Sequence, residues 1–257
     1  MGVRILYNSD TWDAGTITSS SETGDLIDDN VVNDLVAKPW RATGDAAEWI
    51  KFDLGGATDI TCIGLFGGNW TSAATITLEG HATDSWGAPT YSQVLTVETD
   101  EDSVVIGNIV LFLSEQFRWW RITFADGANP DGYIEVGRIK AGEFYEPARS
   151  YSEGWNFIPV DPSEGDEKPG VVAIWRTRAQ FRQVAVRFRF MTETQFKKFW
   201  TIYRKVGRRV PIILALKPTA EPTLYSIYCT FRGQLPLANQ LVDWYQATHL
   251  VFEEKVE

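Results

Sequence analysis

The sequence predicts a mainly β protein, with an N-terminal β-sandwich of the jelly-roll type and a smaller C-terminal β-rich α+β domain that contains one helix. Short apolar segments follow one another, and Gly, Asn, Asp and Pro separate them at short intervals. One helical pattern interrupts the series near residues 193–206. We therefore predict a jelly-roll domain over 1–148, a linker or long connection over 149–170, and the second domain over 171–257.

Charge divides the chain at the same place. Residues 1–148 hold 8 Lys and Arg against 23 Asp and Glu, a net charge of −15, whereas residues 149–257 hold 16 against 11, a net charge of +5. The acidic part repels nucleic acid and anionic membranes, while the basic part is compatible with nucleic acid or with an acidic protein. No apolar run reaches the length of a membrane span. We expect no membrane partner and favour a protein over nucleic acid.

The N-terminus and the cysteines indicate a protein that is not exported. The opening MGVRILYNSD lacks the apolar segment of a secretory signal. Cys62 and Cys229 are isolated, and each lies in an apolar run, so we predict reduced core residues rather than a disulfide. These features predict synthesis in the cytoplasm without a signal peptide.

Alternating or continuous apolar segments predict the strands of the first domain. Gly55-Gly56 and Gly67-Gly68-Asn69 are expected to break two of these strands, because Gly and Asn tolerate the left-handed backbone of tight turns. The second turn places Trp70 on a loop. The predicted strands are WIKFDL, ITCIGLFG, ATITLEGHAT, SVVIGNIVLFLS, FRWWRITFAD and GYIEVGRIKAG.

The second domain opens with a strand in which Arg187 and Arg189 alternate with Val186, Phe188 and Phe190. This alternation predicts a polar row on one face and an apolar row on the other. Three further strands are predicted, in the segments VPIILAL, LYSIYCTFRG and WYQATHLVFEE.

Local signals define the helix near 193–206. Thr192 is a predicted N-cap with Gln195 as its capping-box partner, and Gly207 is expected to end the helix. The spacing of the aromatic residues predicts that they share one face of the helix. These residues are Phe196, Phe199, Trp200 and Tyr203.

Residues 30–142 resemble a discoidin-type, galactose-binding-like jelly roll. The resemblance rests on the order of the segments NVVNDLVAKPWRA, WIKFDLGGATDITCIGLFGGN, TITLEGHATDSW and FRWWRITFADGANPDGYIEVGRIKAG. It implies a β-sandwich over roughly the first 148 residues. Extracellular members tie their ends with a disulfide, and the two cysteines here are not so placed. No sugar-binding trio aligns residue by residue, so lectin activity does not carry over from the resemblance.

The segment NPDGYIEVGRIKAG, followed by a linker and a basic unit, resembles structural proteins of tailed-bacteriophage virions. This resemblance implies a tail, tail-tip or baseplate component whose C-terminal domain docks to other virion tail proteins. It also implies a homo-oligomer of threefold or sixfold symmetry. The alternative function is a carbohydrate-binding module that contacts glycan on the host cell surface.

Three tryptophans in loop-like contexts are candidates for stacking on a glycan or docking a partner. They are Trp12, Trp70 and Trp86. The alternative is that these side chains fold onto the end of the sandwich.

Two acidic loops carry oxygen ligands that suit a structural Ca²⁺ ion. The alternative is that these side chains are simply solvated, and we expect no other cofactor. The candidate ligands are Asp28, Asp29, Asn30, Asp126, Asn129 and Asp131.

An arginine-rich surface in the second domain is predicted to be a protein interface, because the Arg fork pairs with carboxylates. Phosphate binding and a solvated strand face are the alternatives. The candidate residues are Arg176, Arg178, Arg182, Arg187, Arg189, Arg208 and Arg209.

Nothing in the sequence predicts catalysis. His81 and His249 lie in strand-like stretches without a paired Ser, Cys or carboxylate motif. We therefore expect a binding or structural protein rather than an enzyme.

Overall fold

The computed structural model describes residues 2–151, 154–166, 174–241 and 244–256, and it is mainly β, as predicted. The strands are, in chain order, β1 (Arg4–Leu6), β2 (Thr16–Ser19), β3 (Trp40–Arg41), β4 (Glu48–Phe66), β5 (Thr75–His81), β6 (Tyr91–Leu95), β7 (Ile109–Ala125), β8 (Glu135–Val136), β9 (Arg138–Gly142), β10 (Trp155–Val160), β11 (Glu164–Asp166), β12 (Ile174–Arg176), β13 (Phe181–Met191), β14 (Ile212–Ala215), β15 (Ser226–Phe231), β16 (Leu237–Leu241) and β17 (Trp244–Glu254). The helices are α1 (Asp10–Asp13) and α2 (Glu193–Val206), and a 3₁₀ helix spans Asp28–Val32.

The chain folds into two compact units. The first consists of Val3–Glu146 with Ile212–Ser226, and the second of Pro147–Pro211 with Ile227–Glu257. The domains expected from sequence were continuous, whereas residues 212–226 return to the first unit in the structure. Part of the expected linker is ordered, since β10 lies within it; residues 152–153 and 167–170 of that linker lie outside the described residues. None of the helices in the described part of the chain is long and apolar enough to span a membrane.

The main sheet of the first unit has the strand order β2-β4-β7-β5-β6, and β9 also pairs with β4. The two long strands, β4 and β7, pair along most of their length. Up to Asp53, β4 pairs with the end of β7, and from Thr58 onward it pairs with the start of β7 and with β9. The pairing shifts register between these two residues, where Gly55 has a φ of +74°. The glycine pair therefore bends one strand rather than separating two.

Side chains from outside the sheet close the core of the first unit. Trp12 of α1, Val31 of the 3₁₀ helix and Trp40 of β3 are buried in one cluster with Phe52 and Trp120 of the sheet. The aromatic groups are in direct contact, because the ring centres of Trp12 and Phe52 are 4.2 Å apart. Large aromatic side chains contribute much of the buried apolar area in such a core.

The sheet of the second unit has the order β15-β17-β13-β10, and β16 also pairs with β17. Along β13, apolar side chains alternate with polar ones on the predicted faces as far as Phe188, but not beyond it. A register shift separates Phe188 from Met191, and Phe190 lies at a φ of +54° with 41% of its surface exposed. Met191 is buried in its place, because the bulge reverses which side chains face the core.

Helix α2 begins and ends as its sequence predicts. Thr192 and Gln195 form the reciprocal bonds of a capping box, and Gly207 follows the last turn at a φ of +54°. Of the four aromatic residues predicted to share one face, Phe199 is buried, whereas Trp200 is 55% exposed. The buried residues are Gln195, Phe199, Ile202 and Val206.

Candidate functional site

Two of the three candidate tryptophans are interior residues. Trp12 is 1% exposed and Trp70 is 3% exposed, so neither offers a ring face to a ligand. The turn before Trp70 explains its burial: a Cβ atom on Gly68 would overlap the Trp70 ring, so glycine there lets the ring fold back over the backbone. This corrects the expectation that a loop position exposes these side chains.

Trp86 is the candidate that reaches the surface. It is half-buried and lies in the loop between β5 and β6. Its indole Nε1–H donates to the Asp84 carboxylate, and the guanidinium of Arg121 lies 4.6 Å from the ring centre. Hydrogen bonding and cation–π attraction thus fix the orientation of the ring.

Register brings a row of charged side chains together beneath Trp86. Lys51 of β4 lies opposite Arg121 of β7, which in turn lies opposite Glu79 of β5. Arg121 pairs with Glu79 at 2.6 Å, and Lys51 pairs with Asp84 at 3.0 Å. Each cation therefore has a carboxylate partner on the same outer face of the sheet.

A second tryptophan lies at the other end of this row. The Lys51 ammonium is 4.9 Å from the ring centre of Trp49, which is half-buried. The result is a continuous series of two aromatic rings, two cations and two carboxylates. We call it the tryptophan face, and it consists of Trp49, Lys51, Glu79, Asp84, Trp86 and Arg121.

The carboxylate at the centre of the tryptophan face is held in its charged form. Burial alone would raise the pKa of Asp84, but hydrogen bonds from Lys51 and Trp86 outweigh it and lower that pKa. Asp53, on the same strand as Lys51, accepts two hydrogen bonds from Arg118, and these bonds lower the pKa of Asp53. The hydrogen bonds that Asp84 and Asp53 accept therefore favour the charged form of these two carboxyls.

Sequence reasoning identified Trp86 but missed its partners. Lys51, Glu79 and Arg121 each lie on the polar side of an alternating strand, which is the usual place for solvated residues. Their convergence depends on strand register, which the sequence of a single strand does not specify. The available signal was a basic residue within two positions of a tryptophan, Lys51 in WIKFDL and Arg121 in FRWWRITF.

The acidic loop at 126–131 organises other loops. Asp126 is 2% exposed and accepts hydrogen bonds from the backbone N–H and the hydroxyl of Thr71. Asn129 donates to the Asn69 carbonyl oxygen, and Asp131 accepts from the Asn69 amide. These residues hold the turn after Gly67-Gly68 in place, which is why Asn follows the glycine pair.

The other predicted calcium ligands form a separate network. The side chain of Asn30 is buried and donates to the backbone carbonyls of Asp25 and Pro39. Burial and the neighbouring Glu22 raise the pKa of Asp28, which adjoins Asp29 in the 3₁₀ helix. No group of three or more His, Cys, Asp or Glu suited to a metal occurs in the described ranges. The structural Ca²⁺ ion stays a prediction.

The candidate arginines do not form one row. Arg182 pairs with Glu254 and lies on the same side of β13 as Val184 and Val186, opposite to Arg187 and Arg189. Arg187 approaches His249, with 3.4 Å between Nη2 and Nε2, beside a cavity of about 270 Å³. The remaining four are exposed on β12, in the segment after it, or directly after α2. They are Arg176, Arg178, Arg208 and Arg209.

A cleft of about 330 Å³ lies in the first unit. Three segments line it: 8–12 around α1, 57–60 of β4, and 141–143 at the end of β9. We call this cavity the acidic cleft, because the charged residues that line it are Asp10, Asp59 and Glu143.

Two buried cations, which the sequence analysis had not singled out, lie next to the acidic cleft. Arg138 is fully buried and donates to Asp13 and to the Val31 carbonyl. Lys140 donates to the Ser9 hydroxyl at 2.8 Å, and Ser9 donates to Asp13. Burial, aided by the charge of Arg138, lowers the pKa of Lys140 to about 8. The signal was a pair of basic residues in the otherwise apolar strand GRIKAG.

Comparison with solved structures finds similar folds among modules that bind sugars. One is a mutant of chitosan-binding module 1 from a Paenibacillus sp. IK-5 chitosanase/glucanase, with 18% identity, a TM-score of 0.39, and coverage of 50% of this chain and 93% of that chain. Another is a Streptococcus pneumoniae fucose binding module, with 10% identity, a TM-score of 0.40, and coverage of 51% and 96%.

A third similar structure is CpGH89CBM32-5 from Clostridium perfringens, in complex with GalNAc-β-1,3-galactose, with 14% identity, a TM-score of 0.39, and coverage of 52% and 99%. No protein-family model matches the chain, and no curated protein matches it. The protein is mainly β, and its smaller β-rich unit carries the main helix.

Proposed function

We propose that the first unit is a carbohydrate-binding module and that the tryptophan face is its binding surface. The observation that carries the proposal is the fixed series from Trp49 through Lys51 and Asp84 to Trp86 and Arg121. Pyranose rings have an apolar face that stacks on indole and a rim of hydroxyls that exchange hydrogen bonds with charged groups. The tryptophan face supplies both kinds of contact side by side.

Fixed side chains favour such binding. Each cation of the tryptophan face already has a carboxylate partner, so its rotamers are restricted before a ligand arrives. The entropy lost when a ligand binds is correspondingly smaller. Carboxylates and guanidinium groups also retain unused hydrogen-bonding capacity when they pair through one contact.

A glycan array followed by calorimetry tests this function. The wild-type protein should bind a defined set of glycans, and Trp86→Ala should weaken the best of them by about tenfold or more, which is about 1.4 kcal/mol. Trp175→Ala is the matched control, because Trp175 is a 58% exposed tryptophan of the second unit. Uniformly absent binding, or equal loss in both variants, would contradict the proposal.

An assembly role in a phage tail is the second candidate, and an exposed surface of the second unit favours it. Trp200 lies on the outer side of α2, with Lys197 and Arg204 on the same side at three- and four-residue spacing. Trp and Arg are the residues most enriched at the energetic centres of protein interfaces. The net charge of −15 over 1–148 makes a neighbouring copy of this chain, or another acidic tail protein, a suitable partner.

Light scattering across a concentration series tests the assembly role. A closed oligomer is expected, and the double substitution Arg208→Glu and Arg209→Glu should dissociate it, whereas Lys38→Glu in the first unit should not. Purified phage particles should also contain the chain in a multiple of three or six copies. A monomer at all concentrations, together with absence from particles, would remove this candidate.

A further inference from the structure

We propose that the tryptophan face selects uncharged glycans and holds two consecutive sugars of one chain, the first on Trp49 and the second on Trp86. This inference rests on the proposed glycan-binding function and names the class of ligand. Two observations carry it: an ion pair separates the two rings, and the most exposed charge of the face is a carboxylate.

The two tryptophan rings belong to neighbouring rows of the sheet. Trp49 lies opposite Thr123, and Lys51, two residues further along β4, lies opposite Arg121. The guanidinium of Arg121 contacts the Trp86 ring, so this ring marks the second row. Because two residues of a strand span about 7 Å, the two rings offer separate places for stacking.

The ion pair between Lys51 and Asp84 lies between the two rings. The Lys51 ammonium is 4.9 Å from the ring centre of Trp49 and 3.0 Å from an oxygen of Asp84. Asp84 in turn accepts the indole N–H of Trp86. A single pyranose stacked on one ring therefore leaves the other ring free. Two linked sugars occupy both rings, with the hydroxyls next to their linkage above the ion pair.

Hydrogen-bond donors remain available beside both rings. In the part of the chain that the structure describes, Lys51 donates only to Asp84, and Arg121 donates only through Nε to Glu79. An ammonium group has three N–H groups and a guanidinium has five, so donors are left over on both side chains. Sugar hydroxyls accept hydrogen bonds from these donors without bringing a charge to the surface.

Asp84 is the most exposed charged group of the tryptophan face. Its side chain is 39% exposed, compared with 17% for Lys51, 19% for Arg121 and 12% for Glu79. A carboxylate or sulfate on a ligand therefore approaches a like charge before it reaches either cation. The field of the whole unit acts in the same direction, because residues 1–148 carry a net charge of −15.

An exposed cation beside the tryptophan face does not reverse this selection. The side chain of Arg118 is 44% exposed, but it donates two hydrogen bonds to Asp53, at 2.6 and 2.7 Å. A bidentate pair with a carboxylate already provides the strong contact that a guanidinium makes with an anion. A negatively charged glycan gains little from Arg118, whereas an uncharged glycan does not depend on it.

Calorimetry with ligands of increasing length tests the two-sugar part. The probes are the best uncharged oligosaccharide of the glycan array, its disaccharide unit and its monosaccharide. The wild-type protein should bind the disaccharide about tenfold more tightly than the monosaccharide, and Trp49→Ala should reduce this ratio to about twofold. Trp175→Ala, in the second unit, is the control and should keep the wild-type ratio. Equal affinities of the two sugars in the wild type, or an unchanged ratio in Trp49→Ala, would overturn the proposal.

Three matched ligands test the exclusion of charge. The oligosaccharide is compared with a derivative in which one hydroxymethyl group is oxidised to a carboxylate, and with the methyl ester of that derivative. At neutral pH the ester should bind like the parent, whereas the acid should bind about tenfold more weakly. The difference should shrink as salt is raised. Equal affinity of acid and parent would overturn the proposal, and so would equal weakness of acid and ester, which would assign the loss to size.

Asp84→Asn identifies the charge that is responsible. The Asn oxygen still accepts the indole N–H of Trp86, but Lys51 loses its counter-charge, so the acid should gain about tenfold relative to the parent. Glu101→Gln removes one negative charge from an exposed loop between β6 and β7 and should leave the ratio as in the wild type. An equal gain in both variants would assign the exclusion to overall charge and overturn the proposal.

Failure of this inference is distinguishable from failure of the proposed function. If glycans bind and Trp86→Ala weakens them, but acid and parent bind equally, the function stands and the selection of uncharged ligands is wrong. If no glycan binds, or if Trp86→Ala changes nothing, both proposals are wrong.

Discussion

The Arg121 guanidinium lies 4.6 Å from the centre of the Trp86 ring while its Nε donates to the Glu79 carboxylate at 2.6 Å. One side chain thus links a loop tryptophan to the outer face of the sheet. Only 9% of the Glu79 surface is exposed. The ion pair with Arg121 is therefore largely shielded from solvent. The position of the Trp86 ring depends on this link.

Replacing Arg121 by Gln should therefore weaken glycan binding even though Trp86 remains. The ring loses its cation–π partner, worth about 0.5–1 kcal/mol at an exposed site, and becomes more mobile. We expect a reduction in affinity of about twofold to fivefold, measured by calorimetry with the best array ligand. Arg118→Gln is the control, because Arg118 pairs with Asp53 and stacks near Trp119 instead. If Arg121→Gln left the affinity unchanged, the contact between Arg121 and Trp86 would have no role in glycan binding.

Gly68→Ala should destabilise the first unit, because the added Cβ overlaps the Trp70 ring and forces it from the core. Overpacking of this kind costs about 1–3 kcal/mol. Chemical denaturation measures the change in the free energy of unfolding. Gly56→Ala is the matched control, since a Cβ at that position meets nothing within 4 Å. Equal stability of the two variants would show that Trp70 is not held as described.

The buried Lys140 predicts a dependence of stability on alkaline pH. Its pKa is lowered from 10.5 to about 8 in the folded protein, so between these values the unfolded chain binds more protons. The free energy of unfolding should therefore rise with pH through this window, by up to about 3 kcal/mol from this group. Urea titrations from pH 7 to 10 measure the rise.

Lys140→Met isolates this contribution. Other groups titrate equally in both proteins, so the stability of the wild type relative to the variant should increase as pH rises from 8 to 10.5. A difference that stays constant over that range would show that the lysine is not desolvated as the structure indicates.

The capping box of α2 gives a prediction for the second unit. Thr192→Ala removes the bond to the Gln195 N–H and should cost about 1 kcal/mol. Thr194→Ala, an exposed position in the same turn, is the control and should change stability little. Hydrogen exchange of the α2 amides reports the effect locally. Equal protection in the two variants would contradict a role for the cap.

Local signals were sufficient to predict the bounds of α2 and the β conformation of most strand segments, but not that Gly55-Gly56 lies within a single long strand. The cap at Thr192 and the glycine at 207 act within one turn, so sequence neighbours specify them. The exposed face of α2 and the position of Phe190 were not predictable in this way. A bulge in β13 and the packing around Phe199 decide them, and both depend on distant strands.

In the candidate site too, the sequence predicts local features but not the contacts between distant segments. Trp86 could be placed on a loop from the sequence, but its partners meet only through the register of β4, β7 and β5. Burial of Trp12 and Trp70 follows from a core that several segments share. The buried pair Arg138 and Lys140 interrupts an apolar strand, and distant partners accommodate it: Arg138 donates to Asp13, and Lys140 donates to Ser9.

The central claim is that the tryptophan face binds glycan, and side-chain NMR of the tryptophans tests it most directly. On titration with the best array ligand, the account predicts that the indole resonances of Trp86 and Trp49 shift together with one dissociation constant, while the resonance of Trp200 stays fixed. Saturable shifts confined to other tryptophans, or no shift at Trp86 at a concentration where binding is complete, would contradict the account.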